Sequence, residues 1–175
     1  MNLGPGRSYF TMLKLTKKAD YGLIALKHLA CTPLGKSASA KEIAERYHIP
    51  LPLLSKVLQK LGRDGFLQSE HGTNGGYRLA REARLISTLE VIRAIDGPII
   101  LTACFTDHGE CDQSEQCSVR EPLRKVHEGI LRLLSSISIA DLSQEEMHDI
   151  SVESFVQPPG KLLELGRPLP VLPSY

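Results

Sequence analysis

The sequence predicts a mainly α-helical fold with one small β-hairpin: a winged helix-turn-helix followed by a long C-terminal dimerisation helix. Three observations carry this reading. Two short helical patterns, separated by a proline-containing break, occupy residues 39–63. Two short strand patterns follow at once, with a glycine-rich stretch between them. A long apolar repeat with heptad spacing begins near residue 118.

The first helix is expected over Asp20 to Cys31, with Leu23, Ile24, Leu26, Leu29 and Ala30 mostly on one face. Leu15 and Thr16 lead into it and Pro33-Leu-Gly35 closes it. Cys31, on this apolar helix, is expected as a buried core residue. Ser39-Ala-Lys-Glu42 has the Ser and Glu spacing of a capping box and starts a helix to about Tyr47, with Ile43 and Ala44 inward. His48-Ile-Pro50 breaks it. Pro52 then sits in the first turn of the next helix, where its missing N–H costs nothing. Leu53, Leu54, Val57, Leu58 and Leu61 form that helix's core stripe, and Ser55, Lys56, Gln59, Lys60 and Arg63 its outward face. Such a helix enters the major groove because its diameter matches the groove, and outward polar side chains then meet base edges.

After Gly65, residues 66–69 read as a strand and 77–79 as its partner, joined by a loop in which Asn-Gly and Gly-Gly supply positive φ. The DNA-binding set predicted from this unit is Ser55, Lys56, Gln59 and Lys60 on the recognition helix, with His71, Thr73, Asn74 and Arg78 on the wing; Arg81 flanks it. Ser87-Thr-Leu-Glu90 is a second capping box, with Leu89, Val91, Ile92 and Ile95 apolar behind it, and Asp96-Gly-Pro98 ends that helix. In the long repeat, Val119, Leu123, Val126, Ile130, Leu133 and Ile137 are spaced 4, 3, 4, 3, 4, the seam of a helix that pairs with its own copy.

These elements divide the 175 residues into a disordered leader over 1–11, a winged helix-turn-helix over 12–84, a linking helix with a cysteine loop over 85–117, a dimerisation helix over 118–142 and a flexible, proline-rich tail over 143–175. Met12 opens the patterned region and is the expected start if the leader is absent.

Charge sharpens the functional reading. The net charge is only +1, yet residues 1–84 carry 14 basic and 6 acidic side chains and residues 85–175 carry 7 basic and 14 acidic. A basic half joined to an acidic half points to a phosphate-bearing partner, here double-stranded DNA. No apolar run approaches the length of a membrane span and no secretory signal pattern is present, so a cytoplasmic protein with no membrane partner is expected. No phosphate-binding glycine loop, nucleophile elbow or paired-histidine metal motif appears, which argues against an enzyme or a small-molecule substrate.

Three of the four cysteines, Cys104, Cys111 and Cys117, lie within 14 residues in a polar loop. Three thiols in such a loop are not core packing. The spacing is wider than a zinc knuckle and lacks a fourth cysteine, and it leaves open an iron–sulfur cluster, zinc or a metal-free thiol switch. His108 lies inside the loop and is a possible ligand, while His127, His28 and His48 are read as packing or surface residues.

Leu15-Thr-Lys-Lys-Ala-Asp-Tyr-Gly22, the wing pattern Gly72-x-x-Gly75-Gly76-Tyr77-x-Leu79, the Ile95-Asp-Gly-Pro98 turn and the triple cysteine together resemble the Rrf2 family of bacterial winged-helix regulators over about residues 12–142. The order is most similar to the branch that regulates the SUF iron–sulfur assembly operon, and more distantly to the iron–sulfur regulator IscR and the nitric-oxide sensor NsrR. The resemblance implies a homodimeric transcriptional regulator with a [2Fe–2S] or [4Fe–4S] cluster on the three cysteines. The position of the histidine ligand of IscR is Arg120 here. The position of the acidic ligand of NsrR, given by the other subunit, is Asp20, whose simpler roles are an N-cap or an ion pair with Lys17 or Lys18. The family wing often carries Arg or Lys just before the first glycine, and this chain has His71. A metal-free thiol-redox repressor of the same fold is the alternative.

Overall fold

A computed structural model of the chain describes residues 15–33, 35–70, 75–102, 105 and 116–143. Six helices and one hairpin are present among them: α1 (Lys17–Ala30), α2 (Ala40–Tyr47), α3 (Leu51–Arg63), β1 (Leu67–Glu70), β2 (Gly76–Leu79), α4 (Thr88–Asp96), α5 (Arg120–Ser136) and α6 (Ile139–Ser143). A 3-10 turn, Ala83–Leu85, links the hairpin to α4.

The local chemistry explains the boundaries. Thr16 caps α1, its Oγ1 accepting from the Ala19 N–H at 3.2 Å. Ser39 does the same for α2 through the Glu42 N–H at 3.1 Å, and His48 ends that helix in the left-handed region at φ 53°. Pro stands in the first turn of α3, as the sequence implies. α4 has the full reciprocal box: Ser87 Oγ accepts from the Glu90 N–H at 3.2 Å, and Glu90 Oε2 accepts from the Ser87 N–H at 2.9 Å. β1 and β2 pair antiparallel, Leu67 opposite Leu79 and Glu70 opposite Gly76.

The core forms where α1, α3 and α4 meet, closed by α2, the hairpin and α6. Leu26, Ile43, Leu54, Leu58, Leu61, Ile86, Val91, Ile92 and Ile139 are fully buried. The predicted stripe of α3 is borne out at Leu54, Val57, Leu58 and Leu61. α1 differs from expectation. Its buried seam is Ala19, Gly22, Ala25, Leu26 and Leu29, while Leu23 and Ile24 are half-buried. The small residues let α1 approach α4 closely: a Cβ on Gly22 would lie 2.3 Å from Ile95 Cδ1. Cys31 is exposed rather than buried, because it is the C-cap, one residue past the helix and off its packed face.

The long helix is also shorter than the sequence suggests. It spans Arg120–Ser136, so Val119 and Ile137 flank it rather than extend its seam. The chain then turns back into the domain instead of continuing the helix to residue 142. The Thr88 N–H and Oγ1 both donate to the Ile137 carbonyl, at 2.8 and 2.9 Å, and Ile139 N–H donates to the Ile86 carbonyl at 2.9 Å. Asp141 caps the short α6 by accepting from the Ser138 N–H at 2.8 Å, and α6 packs on α1. Burying Ile139 outweighs continuing a polar helix.

Candidate nucleic-acid interface and cysteine segment

α3 is amphipathic, and the burial of its Leu and Val stripe forces the opposite face outward. Lys56, Gln59 and Arg63 are exposed on that face and Ser55 and Lys60 half-exposed. Lys60 Nζ lies 3.3 Å from Asp64 Oδ2. A groove of about 300 Å³ runs between this face and the start of α1, with Lys18, Lys56, Lys60 and Arg63 around it. The structure thus brings four cations together, of which Lys18 was missed at the sequence level. Its signal was the Lys17-Lys18 pair at the head of a helix, legible only once α1 and α3 are known to be neighbours. A concave row of ammonium and guanidinium groups beside a polar helix face has the charge and hydrogen-bonding groups that phosphates and base edges match.

The wing is tied to the helix-turn-helix by its backbone. Ala38 and Tyr77 exchange N–H···O bonds of 3.1 and 2.9 Å. Gly76 serves here by lacking a Cβ and not by a positive φ, since a Cβ would meet the Ala38 carbonyl oxygen at 2.5 Å. Arg78 is exposed and paired with Glu70 at 2.8 Å, so it reaches a phosphate only by leaving that carboxylate. Arg81 belongs to the domain: it lies 5.0 Å over the Phe66 ring and 3.2 Å from Glu90. His71, Thr73 and Asn74 lie outside the described residues.

His28 is structural. Its Nδ1 is 3.3 Å from Tyr47 Oη, and burial with the nearby Arg46 charge holds its pKa below the ordinary value, although Glu42 pulls the other way.

Of the metal-ligand candidates, Cys117 is half-buried three residues before α5, and Cys104 and Cys111 lie outside the described residues. Asp20 is exposed in the first turn of α1. It is not the cap, which is Thr16, and among the described residues no ion pair joins it to Lys17 or Lys18. Among the described residues no three potential ligands converge. One observation does bear on the cysteine segment. Phe105, the residue after Cys104, packs against the His127 ring on α5 at 5.2 Å between centroids. His127 Nδ1 is buried and has no hydrogen-bond partner among the described residues. Such an orphan atom costs free energy unless a polar group or ion meets it. Thiolates, which the segment carries in sequence, and imidazole are donor types that suit an iron–sulfur cluster.

The dimerisation candidates in and beside α5 differ in their surroundings. Ile130, with Leu134, lines an apolar groove of about 370 Å³ against Ile92, Ile99 and Ile100 of the same chain. Val119 and Val126 are 57% and 52% exposed, and α5 has no buried residue at all.

Comparison with known proteins agrees with this architecture. A family model described as "Rrf2: Iron-dependent Transcriptional regulator" matches residues 15–145. The chain is similar to CymR (YrzC), the global cysteine regulator of B. subtilis, at 28% identity, with 75% of this chain and 97% of that chain covered and a TM-score of 0.67. It is similar to T. potens IscR at 31% identity, with 74% and 85% covered and a TM-score of 0.59. A putative transcriptional regulator from Listeria innocua shares the fold at 24% identity, with 89% and 99% covered and a TM-score of 0.68. No helix among the described residues is long and apolar enough to cross a membrane. The chain belongs to the Rrf2 family of DNA-binding transcriptional regulators.

Proposed function

We propose that the protein is a homodimeric cytoplasmic regulator that senses iron–sulfur cluster status through Cys104, Cys111 and Cys117 and controls iron–sulfur assembly genes of the SUF type. One observation supports this most: the place of the cysteine segment in the chain. It follows α4, whose Ile95 touches α1 and lines the basic groove of α3, and it precedes α5, which exposes an apolar face. A cluster bound there supplies an oxidant-sensitive cross-link among thiolates.

The chain's own residues do the rest. Val119, Leu123, Val126, Ile130, Leu133 and Ile137 provide the apolar surface of the α5 region for a second copy. Asp20 of the other subunit is the proposed fourth ligand. Ser55, Lys56, Gln59 and Lys60 read the major groove, while His71, Thr73, Asn74 and Arg78 contact its flank. With a cluster held by Cys104, Cys111 and Cys117, the seating of α5 on α4 would be biased, and with it the separation of the two recognition helices, which operator half-sites must match.

Similarity to T. potens IscR supports the iron–sulfur reading. Similarity to the B. subtilis cysteine regulator supports the second reading, a metal-free thiol-redox repressor. Anaerobic purification decides between them. The first reading gives a brown protein whose visible absorbance is lost in C104A, C111A and C117A and whose affinity for its own promoter differs between apo and holo forms. A colourless protein with stoichiometric zinc sinks it. A reversible disulfide among these thiols, with normal regulation in iron-starved cells, establishes the second.

A further inference from the structure

The first turn of α3 presents an apolar surface to solvent. Leu51 is 41% exposed and Pro52 is exposed beside it. The buried stripe of the helix is already complete without them, in Leu54, Val57, Leu58 and Leu61. Pro52, Lys56, Gln59 and Arg63 follow one another at spacings of 4, 3 and 4, all exposed, and form one outward row opposite that stripe. Leu51 stands four residues before Ser55 and flanks the head of the row. The outward face is therefore apolar at its start and polar or cationic along the rest. The backbone of this turn offers an anion little. Neither Pro50, the N-cap, nor Pro52 has an N–H, and the cap makes no side-chain hydrogen bond.

We infer that Leu51 and Pro52 are specificity-determining residues for DNA: together they bury the C5-methyl group of a thymine in the major groove. The inference rests on the reading of α3 as the helix that enters that groove. In a helix-turn-helix the first residues of the recognition helix are the ones that meet base edges. Among the four bases thymine alone carries a methyl group on its major-groove edge, next to its O4 acceptor. A leucine side chain and a pyrrolidine ring match that methyl by taking it out of water, and neither has a side-chain donor or acceptor for any other base edge. Lys56 and Gln59 lie further along the same row and supply donors for neighbouring acceptors. The apolar first turn thus selects a thymine that the polar remainder of the helix does not distinguish by its methyl group.

The test uses anaerobically purified full-length protein and the stretch of its own promoter that it protects from hydroxyl-radical cleavage. Each thymine of that stretch is replaced in turn by deoxyuridine, which keeps O4 and loses only the methyl group. Fluorescence anisotropy gives the affinities of wild type, L51A, P52A and the double variant at one salt concentration, with urea midpoints measured alongside. Expected is at least one thymine whose replacement weakens wild-type binding about fourfold, the effect of leaving one methyl-sized group unburied. At that position the thymine-to-uracil affinity ratio of the double variant should fall to near one. Wild-type binding indifferent to uracil at every position overturns the inference, and so does a protected stretch without thymine. A double variant that binds more weakly yet keeps the wild-type ratio overturns it too. Where the double variant does not fold or bind, the single variants decide: a reduced ratio in either supports the inference, and the wild-type ratio in both overturns it. Indifference to uracil together with a changed sequence preference in Q59A removes this inference alone. Promoter binding unchanged in K56A, Q59A and the double variant removes the reading of α3 beneath it as well.

Discussion

Gly76 and Ala38 are in backbone contact: a Cβ at residue 76 would stand 2.5 Å from the Ala38 carbonyl oxygen and 2.7 Å from its carbonyl carbon. Neither atom can rotate away, because the Ala38 carbonyl accepts from the Tyr77 N–H at 2.9 Å. Gly76→Ala must push the wing off the loop that leads into α2. The expected cost is about 1–3 kcal/mol, the range of an overpacked site. Urea denaturation measures the loss, and promoter affinity should fall with it, since β2 carries Arg78.

The basic groove gives a salt-dependence prediction. K18A and R63A should each weaken binding to all DNA sequences and lower the slope of log K against log salt by about 0.9 per lost phosphate contact. Gln59→Ala should instead relax sequence preference at one position by about 1–3 kcal/mol with the slope unchanged. Fluorescence anisotropy on operator and scrambled duplexes at several salt concentrations separates the two behaviours.

Val126 tests the proposed self-pairing. It is 52% exposed and packs on little in its own chain, so V126E should leave the helical content and urea midpoint near those of wild type. Sedimentation velocity should show a shift from dimer to monomer, and operator affinity should drop because two half-sites are no longer held by one molecule. A dimer unchanged in V126E would remove the α5 interface from the proposal.

Acid should destabilise the fold in two stages. His28 has a folded pKa below 6.5, by burial first and then by Arg46, so the unfolded chain binds its proton first and stability falls as pH drops below about 6.5. Glu90 has a folded pKa below 4.5, chiefly because its carboxylate accepts the Ser87 N–H, so its contribution is present above 4.5 and disappears as pH falls through the lower folded value. Urea midpoints measured from pH 7.5 to pH 3 should show both legs. H28Q should flatten the upper leg and E90Q the lower.

Cys31 separates the fourth thiol from the other three. It is exposed at the C-cap of α1, so C31S should keep the stability and the visible absorbance of wild-type protein, while thiol counting with a bulky reagent drops by one in the native state.

Much of the DNA-facing half was legible in advance because its signals are local. The Ser39 cap of α2 and the Leu54, Val57, Leu58 and Leu61 stripe each act within one or two turns, and the structure keeps them. What escaped depends on contacts distant in sequence. The seam of α1 runs through Ala19, Gly22 and Ala25, which carry little hydropathy signal, because α4 packs too closely for larger side chains. Ile137 fits a heptad by spacing, yet its carbonyl takes two donors from Thr88, 49 residues earlier, and that contact ends the helix. The grouping of Lys18 with Lys56, Lys60 and Arg63 required knowing that α1 crosses α3. The triple cysteine was visible as a motif, but a motif alone does not choose between iron, zinc and thiol chemistry.

The two donors on the Ile137 carbonyl have a mechanical consequence. Residues 88–137 make a closed circuit: out along α4, through the cysteine segment, and back along α5 to the first residue of α4. One corner of that circuit is clamped, and two of its sides are rigid rods. The remaining side is the stretch that bears the thiols. Any change in the distance between the ends of α4 and α5 would swing α5 like a compass arm about Thr88, so a change of a few ångströms there would become an angle, largest at the far end of α5.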